Sequence, residues 1–222
     1  PDEGVPVEPL LPSSFSGWTN AFRLKNDKME VVVVPEIGRI VQILCEGTDG
    51  VFNLDPKLLS SVPENKDEVT WSNFGGDWFW PVAQSRWASF AGKDWPPPPV
   101  LGDVPWEASA WKCAEGSLCC QMSREYGAPL FLKASRLIKL DVQEARVTIR
   151  QRVERTKKSS VPVVLWNISQ IRKAGRIILS TDKTSAFKDG YKAMMFEKPG
   201  AEVLSFCEGA LVYKAGSGEH KL

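Results

Sequence analysis

Apolar and polar residues alternate with a period of two along most of the chain. Phe22 and Leu24 lead into Lys25-Asn26-Asp27-Lys28, after which Met29, Val31 and Val33 alternate with Glu30, Val32 and Val34. That pattern predicts two strands joined by a short turn. Residues 38–45 (GRIVQILC) predict another strand, closed by the turn residues Gly47 and Asp49-Gly50. Beyond residue 107 the spacing assigns faces. Leu118, Cys120 and Met122 point one way, and Ala134, Ile138 and Leu140 share a parity. Val147, Ile149 and Val153 alternate with Arg146, Thr148, Arg150, Arg152 and Glu154, the signature of a half-buried antiparallel strand with one wet face. Residues 161–171, 176–179, 202–206 and 211–214 are further strand candidates, and the best helical candidate is only residues 55–61. The predicted class is all-β, a large antiparallel sandwich rather than a βαβ fold.

Two segments depart from the alternation. The first 17 residues contain Pro1, Pro6, Pro9, Pro12 and Gly17, so residues 1–19 are expected to form an extended arm and residues 20–222 a single sandwich domain. Residues 71–111 hold seven of the nine tryptophans together with Pro81, Pro96 to Pro99 and Pro105. Four consecutive prolines lack amide donors and cannot form a central strand, so this segment is expected to run as ordered loop and polyproline II over a sheet. Loops held on a rigid β scaffold are where binding sites concentrate.

Composition narrows the chemistry. The 222 residues are enough to bury a core without disulfide or metal staples. No apolar run approaches the roughly 18 to 20 residues of a membrane-spanning helix. The net charge of +1 provides no field for nucleic acid. Neither nucleic acid nor membrane is expected as a partner. Charge is uneven: residues 133–192 carry 15 basic and 5 acidic side chains, residues 1–132 carry 10 and 18. That is either a basic surface for an acidic ligand, or a wet strand face of Arg146, Arg150 and Arg152 paired with acids of the other half. The chain has a single histidine, His220, near its C-terminal end, which leaves no Ser-His-Asp or Cys-His relay within the fold. Its five cysteines, Cys45, Cys113, Cys119, Cys120 and Cys207, form no CxxC pair, and they read as small buried residues. No metal and no cofactor are expected. A start at Pro1-Asp2-Glu3 without Met leaves a removed signal peptide, and hence the compartment, open.

The densest run of chemistry is residues 71–87, WSNFGGDWFWPVAQSRW, followed by Trp95 to Pro99 and Leu101-Gly102-Asp103. Paired glycines permit close backbone approach, aromatic faces offer apolar area at low entropy cost, and Asp, Asn, Gln and Arg offer directed hydrogen bonds. A sugar ring needs this mixture. Trp78 and Trp80, two apart, are alternatively core residues beneath the loop, with about half of the seven tryptophans expected in the core.

Val34-Pro35-Glu36-Ile37-Gly38-Arg39-Ile40, Gly75-Gly76-Asp77 ending in Trp80-Pro81, Trp95-Pro96-Pro97, and Trp166-Asn167-Ile168-Ser169-Gln170, taken in order, resemble the galactose mutarotase-like superfamily, closest to an uncharacterised bacterial branch of it. The resemblance covers about residues 20 to 170. It implies a β supersandwich with a carbohydrate site, and, at this chain length, absence of the last strands. The resemblance also implies a histidine acid on the strand where this chain has residues 166–170, and a late glutamate base. No histidine stands there, Gln170 cannot exchange a proton near neutral pH, and neither Glu202 nor Glu208 matches the context of the base. The chain alone is therefore not expected to act as an aldose 1-epimerase.

The leading expectation is a carbohydrate-binding protein with Arg39, Asp77, Trp80, Gln84, Trp87, Trp95, Asp103 and Gln170 as site candidates. Arg39 is either a bidentate donor to hydroxyls or a carboxylate, or a salt-bridge partner. Asp77 and Asp103 are either an acid/base pair or, for Asp77, a turn residue after Gly-Gly. The alternatives are a sugar epimerase or glycosidase-like enzyme using Asp77 or Asp103, and an interaction module in which the tryptophan-rich segment seals a sheet. If the site faces that segment, loss of Trp87 or Trp95 should weaken ligand binding more than folding.

Overall fold

The computed structural model describes residues 4–62, 71–172, 175–182, 184–194, 199–207 and 209–214. Glu208 and His220 lie outside them. Contacts divide the chain into two compact units, residues 1–170 and 171–222, and each is described by itself.

The first unit is an antiparallel β sandwich. Its strands are β1 (Pro6–Leu10), β2 (Ser13–Phe15), β3 (Trp18–Lys25), β4 (Met29–Val34), β5 (Arg39–Cys45), β6 (Gly76–Trp80), β7 (Glu107–Cys113), β8 (Leu118–Tyr126), β9 (Leu132–Leu140), β10 (Val147–Arg155) and β11 (Trp166–Gln170). One sheet has the order β1-β7-β8-β9-β10 and the other β11-β6-β5-β4-β3-β2. They share one core, with Phe22, Leu24, Val31, Val33 and Ile40 from the six-stranded sheet and Ala110, Cys120, Met122, Ala134, Ile138 and Leu140 from the five-stranded one. All of these but Ile40 and Ala110 belong to the sets that the alternation marked out.

β4 is buried at all six residues. Its odd face enters the shared core. Val32 and Val34 pack into a second cluster with Trp18, Ala21, Ile37, Val41 and Phe74, so the sheet is covered on both faces, and Leu58 and Leu59 help to close the second cluster. Residues 55–61 are not the expected helix. Asp55 instead caps a turn, its side chain accepting from Lys57 N at 2.9 Å and its carbonyl from Leu58 N.

The N-terminal arm is extended and paired. β1 lies on β7 and β2 on β3, at sheet edges, where Pro6 and Pro9 cost no ladder bond. Within the tryptophan-rich segment, Gly76–Trp80 is a strand rather than loop, placed between β5 and β11 and buried at all five residues, so it shows no polar alternation to reveal it. Within the proline run Pro98 has the expected extended angles, φ −54° and ψ 145°, while Pro99 belongs to a 3-10 turn, Pro99–Leu101. Of residues 161–171, only Trp166–Gln170 is a strand.

The turn after β3 is tied to the turn after β9. The Asn26 side chain accepts from Lys28 N and Met29 N and donates to the carbonyls of Asp141 and Glu144 at 2.8 and 2.9 Å. Asp141 in turn accepts from Gln143 N, Glu144 N and Arg146 Nη2, and those bonds hold its carboxyl down to about 2. A carboxylate with a lowered folded-state value contributes stability above the unfolded value, about 4, and loses it as pH falls through the folded one. The difference in urea midpoint between wild type and Asp141→Ala is therefore expected to be full at pH 6 and to shrink between about pH 4 and pH 2. A difference that does not vary with pH would refute this account.

Two arginines of the basic strand face find their acids locally. Arg146 pairs with Asp141 and Glu144, and Arg152 with Glu154; the partners come from the same segment, not from the acidic half. Lys139 pairs with Glu115 of that half.

The second unit holds a three-stranded antiparallel sheet of β12 (Arg176–Ser180), β13 (Leu204–Cys207) and β14 (Ala210–Lys214), in the order β12-β14-β13. Leu204 and Leu211 are buried, and Ile178 and Phe206 are exposed.

Candidate functional site

The pair β6–β11 organises the sequence-predicted site and divides it. Its register sets Asp77 opposite Ser169, Phe79 opposite Asn167 and Trp80 opposite Trp166. Because side chains alternate along a strand, Asp77, Asn167 and Ser169 share one face, and Trp78, Trp80, Trp166, Ile168 and Gln170 share the other. Asp77 and Gln170, expected together, are thus on opposite faces.

Paired glycines lead into β6 because this chain's own backbone comes close. Gly75 has φ +82° and Gly76 φ +78°; a Cβ on Gly75 would lie 1.9 Å from the Asn53 carbonyl oxygen, and one on Gly76 2.5 Å from that of Ile40. Only glycine fits both demands. The next residue, Asp77, is a buried strand residue rather than a turn residue. It accepts from Arg136 Nη2, from Asn167 Nδ2 at 2.6 Å and from Ser169 Oγ at 2.5 Å. Arg136, on β9, is fully buried and donates as well to the Asp77 carbonyl and to Asn167 Oδ1. Asn167 and Ser169 are exposed, so a buried ion pair lies behind two surface amide and hydroxyl groups.

On the other face Arg39 is a salt-bridge residue. Its Nη2 donates to Asp103 Oδ1 at 2.9 Å and to the Ser72 carbonyl, its Nη1 to the Gly75 carbonyl, and its guanidinium carbon lies 4.3 Å from the centre of the Trp78 ring. Asp103 also accepts from Ser72 N at 2.6 Å. Burial pushes the Asp103 carboxyl up and the Arg39 guanidinium down; their mutual attraction opposes both shifts. Arg124 donates to the carbonyls of Gly102 and Val100. A cavity of about 20 Å³ lies among Arg39, Trp78, Trp80, Asp103, Arg124 and Tyr126. That is room for about one water, far short of the roughly 300 Å³ or more of a small-molecule pocket.

The tryptophans form a connected cluster with an inner part and a rim. Trp78, Trp80, Trp87 and Trp106 are buried, four of the seven. Trp80 meets Trp87 edge-on at 4.9 Å and Trp166 at 5.3 Å. Trp80 Nε1 donates to the Leu101 carbonyl and Trp87 Nε1 to that of Val82. Trp95 is 52% exposed, standing against half-buried Trp71 at 4.8 Å and against Trp87 at 6.4 Å. Gln84 Nε2 points at the carbonyl of Asp94, 3.4 Å away, which puts a polar side chain beside Trp95.

Of the eight expected site residues, Trp95 is exposed and Gln84 and Gln170 are half-buried; Gln84 stands beside Trp95, and Gln170 lies on the β11 face that carries Trp166. Arg39, Trp80, Trp87 and Asp103 are core residues, because the tryptophan-rich segment folds down on the sheet instead of framing an open cleft. Asp77 is buried behind Asn167 and Ser169. Arg136 and Arg124 are the residues that sequence reasoning missed. The signal was available, since Arg136 has the inward parity of Ala134, Ile138 and Leu140, and Arg124 that of Leu118, Cys120 and Met122. Among the described residues no group of three or more His, Cys, Asp or Glu side chains could hold a metal ion.

In comparisons with known proteins, no family model, no curated protein and no solved structure matches the chain.

Proposed function

We propose that this protein binds carbohydrate at the tryptophan rim, with Trp95 as the stacking platform, Trp71 as its flank and Gln84 as a hydroxyl partner. The observation that carries the proposal is the half-exposed Trp95 ring, buttressed by Trp71 and Trp87. A rigid, partly solvated aromatic face is what the C–H face of a sugar packs on at low entropy cost. The mutarotase-like relationship is part of the same proposal; its support is the order of the four sequence motifs together with an all-β antiparallel architecture.

The proposed role is binding rather than catalysis. Asp77 and Asp103 each accept from a guanidinium and from at least one further N–H or O–H group of the chain, so their oxygens are already engaged within the fold and buried away from the rim. A second reading, docking of another protein chain, is favoured by one observation: Val163, Val164 and Leu165, which precede Trp166, are 41%, 39% and 57% exposed.

Titrating the protein with a panel of neutral hexoses and their oligosaccharides, followed by tryptophan fluorescence, tests the proposal. Trp95→Ala is expected to weaken binding about fivefold, since an aromatic contact contributes about 1 kcal/mol, with an unchanged far-UV circular dichroism spectrum. Equal affinity in the variant, or no spectral response to any sugar, would remove the carbohydrate reading and leave protein docking.

A further inference from the structure

We propose that the small cavity among Arg39, Trp78, Asp103, Arg124 and Tyr126 is a binding site for one monatomic, monovalent anion of the halide class. Two of its walls carry buried donors without a partner. Arg39 is 1% exposed and Trp78 6%, both line the cavity, and neither Arg39 Nε nor Trp78 Nε1 has a hydrogen-bond acceptor. Buried donors left in this way are costly, and an acceptor between them removes the cost.

Charge selects the kind of acceptor. Asp103 is the carboxylate lining the cavity, and two guanidinium groups line it with it, Arg39 and Arg124. Asp103 bonds Arg39 and attracts Arg124 from farther off; the Arg124 Nη atoms donate to the neutral carbonyls of Val100 and Gly102, and its side chain also meets that of Tyr126. The other buried carboxylate nearby, Asp77, is bonded by Arg136. One positive charge is thus left over beside the cavity, in surroundings that strengthen its field. A water molecule would accept the two N–H groups and leave that charge uncompensated; a halide ion does both. At about 20 Å³ the cavity admits one such ion and excludes polyatomic organic anions.

The test is a thermal-unfolding titration with sodium bromide, the ionic strength held constant with sodium gluconate, whose anion is too large to enter. The melting temperature is expected to rise and saturate with bromide, as for a ligand that binds only the folded state. Trp78→Phe keeps the ring under Arg39 but removes one N–H donor, and its titration midpoint is expected to move at least tenfold to higher bromide. Absence of a saturable rise, or an identical titration in the variant, would overturn the proposal. If Trp78→Phe does not fold, anomalous diffraction from a bromide-soaked wild-type crystal decides. A peak in this cavity supports the site, and a water there with no bromide peak sinks it.

Discussion

Trp87→Ala is expected to destabilise the first unit by about 3–5 kcal/mol and to lower its urea midpoint accordingly. The ring is fully buried. It is held by its N–H bond to the Val82 carbonyl and wedged between Trp80, Trp95 and Trp166. Truncation to alanine removes the largest kind of side chain from a close-packed cluster, leaves a cavity that neighbouring indoles cannot fill by small shifts, and orphans a buried carbonyl. Against a typical total of about 5–15 kcal/mol, this is a large share of the stability. Trp95→Ala, at a half-exposed ring, should cost a small fraction of that. Chemical unfolding followed by far-UV circular dichroism separates the two. A Trp87→Ala loss below about 1 kcal/mol would contradict the packing described above. The expectation from sequence ranked Trp87 with Trp95 as a ligand contact whose loss weakens binding more than folding; its complete burial makes folding the larger effect.

The second large effect is expected at the ion pair between the sheets. Arg136→Met should cost about 3–5 kcal/mol, because the Asp77 carboxylate, 2% exposed, would keep Asn167 and Ser169 as donors but lose its only bonded cation among the described residues. Asp77→Leu should cost a similar amount by stranding Arg136. The double variant is expected to recover most of the loss, since replacing both members of a buried pair by apolar residues is often near neutral. A double-mutant cycle measured by urea unfolding gives the coupling directly. Additive losses, with no recovery in the double variant, would show that Asp77 and Arg136 do not act as a pair.

Much of the architecture was legible in the chain, for a local reason. The β3–β4 hairpin, the β5 strand and the inward faces of β8, β9 and β10 follow from a two-residue period, which depends only on near neighbours. Where the period is absent the reading failed. β6 is buried on both faces, so Trp78 and Trp80 gave no alternation against Phe79, and a central strand looked like loop. Asp55 and Pro56 set a turn where Leu58, Leu59 and their neighbours suggested a helix.

Counting and periodicity thus determined, without any structure, that the chain is all-β and antiparallel; the single sandwich domain expected over residues 20–222 is instead a sandwich within residues 1–170 and a separate unit over 171–222. A single histidine likewise excluded multi-histidine metal sites by number alone. Which polar groups meet was decided only by tertiary structure. Asp77 and Arg136 are 59 residues apart and Arg39 and Asp103 are 64 apart. Their pairing depends on β6 inserting between β5 and β11, and on the tryptophan-rich segment packing down over one face of that sheet. Such contacts arise from the order of strands in a sheet and from which loop covers it, and no local period encodes either. The same closure put Asp77 on the face of the β6–β11 pair opposite Trp78 and Trp80, buried Asp103 against Arg39 beneath the tryptophans, and left Trp95 exposed beside half-buried Gln84.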